Sequence, residues 1–258
     1  MKVLHILLLA AAFSSLTFNG THGEEIINGQ KAEKNSLQYM ASVQYHHIHK
    51  CGGFLINPSY VVSAAHCYYK HFHNFLNVVL GSHNIGQNDL KRYTVENVHL
   101  HPSYEGSPVF GYDIMLLKIS EKISPNDEHV KTIKISSKHP DNNIKCQVAG
   151  WGKTENQALS HDLLETDVTI INITLCKKEW NKGDFLKLPD NILCAEGYNT
   201  KSGACQGDSG GPLVCNGVAV GIVSFNNNSN CIYPELPNIY TDISAYTDWI
   251  NSVIEADR

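Results

Sequence analysis

Residues Ala204 to Leu213 read A-C-Q-G-D-S-G-G-P-L, a glycine-dense turn that carries a serine directly after a carboxylate. Glycines let a backbone turn sharply and leave N–H groups free to face an incoming group, so such a loop is poor core material and good reaction-centre material. Two other stretches are as distinctive: Ser63-Ala64-Ala65-His66-Cys67 and Tyr112-Asp113-Ile114-Met115-Leu116-Leu117-Lys118. A serine hydroxyl is a weak nucleophile at neutral pH. It needs a base within hydrogen-bond reach, and the base needs a partner that orients it. Ser209, His66 and Asp113 supply those three groups, in the chain order His, Asp, Ser. Alone, each has a plainer reading as a turn serine or a hydrogen-bonded structural residue. As a set they point to acyl transfer through a serine nucleophile. A phosphate loop is disfavoured because no G-x-x-x-x-G-K-[ST] follows. The segment Gly81 to Leu90 holds one Asp among amides, too weak a set for a hard cation. No metal and no cofactor is expected.

The same stretches resemble the trypsin/chymotrypsin-type serine proteases. The likeness runs from Ile26-Ile27-Asn28-Gly29-Gln30 through Gly150-Trp151-Gly152 and the serine loop to Tyr246-Thr247-Asp248-Trp249-Ile250. It implies His66 as general base and then acid, Asp113 as the group that fixes the imidazole tautomer and stabilises the imidazolium, and Ser209 as the nucleophile. It also implies an oxyanion hole from the backbone N–H groups of Gly207 and Ser209, worth about 3 kcal/mol per donor. Asp208 would receive the new ammonium of Ile26 after cleavage before that residue, a buried ion pair that fixes the oxyanion loop. The eight cysteines leave their connectivity open, and the resemblance selects Cys51–Cys67, Cys146–Cys215, Cys176–Cys194 and Cys205–Cys231. A zinc site is the weaker reading of those cysteines, because no C-x-x-C pair occurs and an oxidising compartment favours bridges.

Met1 to Phe13 carries one early cation and then an apolar run too short to span a bilayer, which reads as a cleaved signal peptide over residues 1–23. Past it no hydrophobic run is long enough for a membrane anchor, so a secreted or vesicle-stored product is expected. Residues 24–25, Glu24-Glu25, would then be the only block before Ile26. A two-residue acidic propeptide resembles that of granzymes and mast-cell proteases, in which a dipeptidyl peptidase removes it in the granule. No Arg or Lys precedes Ile26 for a tryptic activator to recognise. The net charge goes from −5 to −4 once Lys2 (+1) and Glu24 and Glu25 (−2) are removed, so nothing argues for nucleic-acid binding. This acidic balance departs from the strongly basic granule proteases. Fourteen histidines include His46, His47, His49, His71 and His73, read here as exposed loop residues. A monomer acting on protein or peptide substrates and checked by serpin-type inhibitors is expected.

Short β-rich runs recur between Gly, Pro and Asn: Met40 to Tyr45, Gly53 to Ile56, Val78 to Gly81, Ile114 to Ile119, Cys146 to Gly150, Pro212 to Val214 and Val218 to Ser224. That spacing argues for an all-β barrel or sandwich. The resemblance makes it two packed six-stranded antiparallel barrels, about 26–135 and 136–245, within a protease domain over 26–258, with the active site in the cleft between them. The one helix expected is 246–255, where Trp249, Ile250, Val253 and Ile254 form an apolar stripe.

Specificity is read from the residue six before the nucleophile and from two wall positions. Trypsin-like members put Asp at that floor; here it is Gly203. Ser224, Phe225 and Asn226 should form the wall that pairs with extended substrate. Asn226 and Asn238 stand where chymotrypsin-like members keep glycine, which should narrow the slot and penalise large aromatic rings. The expectation is a non-tryptic endopeptidase that favours small or medium uncharged residues before the cut. Asn172 and Asn227 lie in usable glycosylation sequons. The competing readings are a digestive elastase-like or complement-type protease, and a catalytically inactive pseudoprotease acting as a binding protein. Intact His66, Asp113, Ser209 and Gly207 weigh against the last.

Overall fold

The computed structural model describes residues 29–154, 158–182, 187–195, 202–227 and 236–257. The expected signal and activation residues, Ile26 and Cys231 lie outside them. After a short β1 (Gln30–Lys31), strands β2 (Met40–Tyr45), β3 (Ile48–Asn57), β4 (Tyr60–Ser63), β5 (Leu76–Leu80), β6 (Arg92–Leu100) and β7 (Met115–Ile119) close into a barrel in the order β2-β3-β4-β7-β6-β5. After β8 (Lys134–Ile135) come β9 (Lys145–Gly150), β10 (Leu164–Ile171), β11 (Ile192–Ala195), β12 (Pro212–Cys215), β13 (Val218–Phe225) and β14 (Asn238–Asp242). They form a second ring, β9-β10-β11-β14-β13-β12, closed by the pairing of β12 with β9. Neighbours within both rings are antiparallel. β1 adds to β10, and β8 pairs in parallel with β13, so the connection between barrels already lies on the second one.

Each barrel is filled by the inward faces of its strands. Phe54, Leu55, Val61, Ile114, Leu116 and Leu117 are fully buried in the first, and Val148, Ile170, Leu193, Leu213 and Tyr240 fill the second. Burying side chains of this size is worth about 1.5–3 kcal/mol each before conformational entropy is counted. The C-terminal helix α2 (Thr247–Ala256) inserts Ile250 into the first barrel's core cluster. Its end is held there by Tyr60, whose hydroxyl donates to Asp257 Oδ2 at 2.6 Å.

Several elements exceed the sequence reading. β6 (R-Y-T-V-E-N-V-H-L) and β10 (L-E-T-D-V-T-I-I) interleave charged and polar residues with apolar ones, so a search for apolar runs passes over them; alternate side chains face water. A second helix, α1 (Ile173–Asn181), was not expected. Its start signal was present, since Asn172 caps it by accepting from the N–H groups of Thr174 and Leu175. Three expected disulfides are formed, Cys51–Cys67, Cys146–Cys215 and Cys176–Cys194. Cys205 is also disulfide-bonded; Cys231, its expected partner, is among the residues not described.

Candidate active site

His66 sits in a single 3-10 turn (Ala65–Cys67) directly after β4, and Asp113 stands just before β7. β4 and β7 are antiparallel neighbours with Ser63 opposite Met115, so the sheet itself brings together two residues 47 positions apart. The Asp113 carboxylate accepts from His66 N–H at 2.9 Å through Oδ1 and meets His66 Nδ1 at 2.8 Å through Oδ2. A carboxylate can only accept here, so Nδ1 carries the proton and Nε2 keeps its lone pair. Asp113 is 1% exposed, while the His66 side chain keeps 23% of its surface open.

The second barrel supports the same carboxylate. Ser224 Oγ on β13 donates to Asp113 Oδ2, and Thr241 Oγ1 on β14 donates to the Asp113 carbonyl at 3.0 Å. Neither role was visible in the sequence, where Ser224 reads only as pocket wall and Thr241 has no signal. A hydrogen bond to a buried charge is worth about 1.5–3 kcal/mol. Replacing Ser224 by Ala should therefore lower kcat about tenfold with little change in KM, measured on a short amide substrate. Unchanged kcat would mean that Asp113 does not depend on this donor.

Ser209 occupies the turn before β12 and is anchored from both barrels. Gly52 N–H of β3 donates to the Ser209 carbonyl at 2.8 Å, and Gly210 N–H donates to Val223 O at 2.8 Å. Ser209 and His66 line one pocket, and no hydrogen bond joins the Ser209 hydroxyl to His66 among the described residues. Such contacts are often loose before substrate binds. Gly207 has φ of +101°, and a Cβ there would lie 2.8 Å from Gly152 Cα and from Leu159 Cδ2, so only glycine fits. Among the described residues no acceptor engages the N–H of Gly207 or of Ser209. Those are the two donors expected to face an oxyanion.

Asp208 is 1% exposed and points away from the pocket. Its carboxylate accepts from the N–H groups of Gly152 and Cys205, each at 2.8 Å, and fits only because Gly152 lacks a side chain, whose Cβ would fall 2.5 Å from it. Burial pushes its pKa up to about 7, against the opposing pull of those two N–H groups. No cation pairs with it among the described residues.

The pocket measures about 280 Å³. Ser224, Phe225, Asn226 and Asn238 line it, with Ala204 and Val223. Gly203, expected as its floor, is buried beside Ala204 and is not among the residues that line the pocket. A larger cleft of about 630 Å³ is lined by Lys31, Lys34, His83 and Asp162 and contains none of these groups, so size does not locate the chemistry. Cys51, His66 and Cys67 bring three donor atoms close together, but both sulfurs are spent in the disulfide and cannot act as thiolates.

The chain matches the family model described as Trypsin over residues 26–250. It is 35% identical to Trypsin-3 of Salmo salar, with 91% of this chain and 94% of that protein aligned. It is equally similar, 35%, to human chymotrypsin-like elastase family member 1 (90% and 93% aligned), and 32% identical to rat glandular kallikrein-10 (97% of both). Among solved structures, mouse neuropsin, a serine protease expressed in the limbic system of the brain, superposes with a TM-score of 0.77 at 29% identity, covering 88% of this chain and 99% of that one.

Proposed function

The chain belongs to the trypsin family of serine proteases and is a serine endopeptidase, and on that premise we propose that His66, Asp113 and Ser209 are its catalytic triad. The observation that carries this reading is the Asp113–His66 pair, which fixes the proton on Nδ1 and leaves Nε2 free beside Ser209. Ser209 Oγ attacks the scissile carbonyl carbon while its proton passes to His66 Nε2, and Asp113 stabilises the imidazolium. Charge on the carbonyl oxygen meets the N–H groups of Gly207 and Ser209. His66 then gives its proton to the departing amine, the C–N bond breaks and the acyl-enzyme remains. A water takes the amine's place, loses a proton to His66 and attacks the acyl carbon; the C–Oγ bond then breaks, His66 returns the proton to Ser209 Oγ, and the acid departs. An organophosphonate probe should label Ser209 in enzyme that begins at Ile26 and should fail to label the His66→Ala variant. Equal labelling of both would overturn the triad.

Activation is proposed to occur by removal of Glu24-Glu25, the work of a dipeptidyl peptidase, with storage in a secretory granule and control by serpin-type inhibitors. The motivation remains the acidic dipeptide and the lack of a basic residue before Ile26. No helix among the described residues is long and apolar enough to cross a membrane.

The pocket supports a non-tryptic preference. Among the described residues no acidic one lines it, so an Arg or Lys side chain would be desolvated without a counter-charge from them. Asn226 and Asn238 line the slot and offer amide-bearing side chains where a glycine would leave open space. The name of the human elastase relative fits such a pocket, and the equally similar trypsin shows that identity alone does not set this property. A peptide library cleaved by enzyme beginning at Ile26 should show small or medium uncharged residues before the scissile bond. Dominance of Arg or Lys would refute the pocket argument, and dominance of Phe, Tyr or Trp would show that the two asparagines turn away.

A further inference from the structure

Tyr112, the residue before Asp113, has φ of +55°, and Gly111 before it has φ of +84°. Left-handed backbone suits glycine and asparagine; an aromatic residue stays there only where its surroundings hold it. Among the described residues eight other than glycine have positive φ, and four of those are asparagines. Tyr112 is the one of the eight that adjoins a member of the triad.

The surroundings that hold it are aromatic. Its ring stacks on the His101 imidazole, with centroids 4.9 Å apart and planes inclined by 21°, and meets Tyr246 edge-on at 6.2 Å. His101 in turn packs edge-on to Tyr246 at 5.3 Å and lies against Trp249 at 5.1 Å. Pairs in these geometries attract beyond the area they bury. His101 Nδ1 accepts from the Ser103 N–H at 3.2 Å, and the His101 N–H donates to Ile114 O at 3.2 Å, so this imidazole is fixed at both ends. Tyr246 is 3% exposed, and its hydroxyl faces the N–H of Tyr112 and the side chain of Asn191. The Tyr112 carbonyl accepts from the Ile114 N–H at 2.8 Å, which closes a three-residue turn with Asp113 at its centre. The direction of that turn decides whether the Asp113 carboxylate reaches His66 and Ser224. Tyr112 is not among the residues that line the pocket beside Ser209, and its hydroxyl takes part in none of these contacts.

We propose that Tyr112 is a positioning residue of the reaction centre. Clamped by Tyr246 and by His101, which Trp249 braces, its ring keeps the main chain left-handed one residue before Asp113 and so aims that carboxylate at His66. Tyr246 and Trp249 stand at the start of α2, so the clamp makes the C-terminal helix a support of the triad. The proposal rests on the triad reading given above.

The test uses enzyme that begins at Ile26 and a short amide substrate. Tyr112→Val should lower kcat about thirtyfold with KM unchanged, because a β-branched residue without a ring resists positive φ. Tyr112→Phe keeps the ring and should hold kcat within about twofold. Tyr112→Asn tolerates the left-handed backbone without a clamp and should cost about threefold or less. His101→Ala should cost about tenfold beside Tyr112 and almost nothing beside Tyr112→Asn, since the ring it holds is then absent. The proton resonance of the His66 Nδ1–H that Asp113 accepts should move in Tyr112→Val and stay in place in Tyr112→Phe. That resonance is read without turnover, so it separates a failure here from a failure of the triad reading, which Ser209→Ala tests. If Tyr112→Val does not fold, the cycle of His101→Ala and Tyr112→Asn decides. Unchanged kcat in Tyr112→Val, a loss that sits in KM, an unmoved resonance or additive losses in the cycle would each overturn the proposal.

Discussion

Replacing Ser209 by Ala should lower kcat about 10⁶-fold on a peptide amide substrate while leaving KM and the melting temperature nearly unchanged. Losses of this size follow when one member of a nucleophile–base unit is removed, and His66→Ala should cost about as much. The double variant should be no worse than either single one, because the residual rate comes from substrate binding and the oxyanion donors. Asp113→Asn tests the orientation specifically, and about 10⁴-fold is expected. An amide cannot accept from all three donors that converge on this side chain, the two N–H groups of His66 and the Ser224 hydroxyl. The imidazole would then settle in the tautomer that places its proton on Nε2. Full activity in Ser209→Ala would sink the assignment, and additive losses in the double variant would show that the two residues do not act together.

Cleavage before Ile26 should raise amidase activity about a thousandfold over the chain that keeps Glu24-Glu25, the range expected when oxyanion donors are put in place. The driving group is Asp208, fully buried and with its pKa pushed up to about 7. Because that value lies above the 3.8 of an unperturbed carboxyl, the folded precursor binds this proton more tightly than the unfolded chain does. The resulting stability is fully present below pH 3.8 and is lost as pH rises through 7. The loss is about 4 kcal/mol, at 1.36 kcal/mol per pKa unit. A free Ile26 ammonium beside Asp208 returns the carboxylate to its ionised form and removes that penalty, until the ammonium itself deprotonates near pH 8 (~8). The melting temperature of the precursor should therefore fall between about pH 4 and pH 7, and that of the processed enzyme should not. Asp208→Asn should flatten the precursor's profile and leave the processed chain poorly active. Equal activity with and without the dipeptide would remove Asp208 from any role in activation.

The residues proposed to react were legible one by one, because each rests on local rules. A serine among glycines, a histidine ending an apolar strand and an aspartate opening one keep their meaning without knowledge of what lies opposite. The same holds for the β-rich run Met40–Tyr45, whose Met40, Ala41, Val43 and Tyr45 are interrupted only by Ser42 and Gln44. Elements that expose one face to water, such as β6 and β10, are weaker signals, since their alternation is shared with many loops. What no stretch of sequence contains is the pairing across strands and barrels. Ser224 and Thr241 hold Asp113 from more than a hundred positions away. Gly152 opens the space that Asp208 fills, and Gln44, Ser42 and His49 run in single file to Gly207. Such contacts involve ordinary serines, glutamines and histidines whose side chains have many acceptable partners. The closure of two barrels selects one partner for each, because a buried polar atom left unpaired costs about 1–3 kcal/mol and only one packing satisfies them together. The chemistry is thus written locally, while its orientation and its supports are properties of the folded chain.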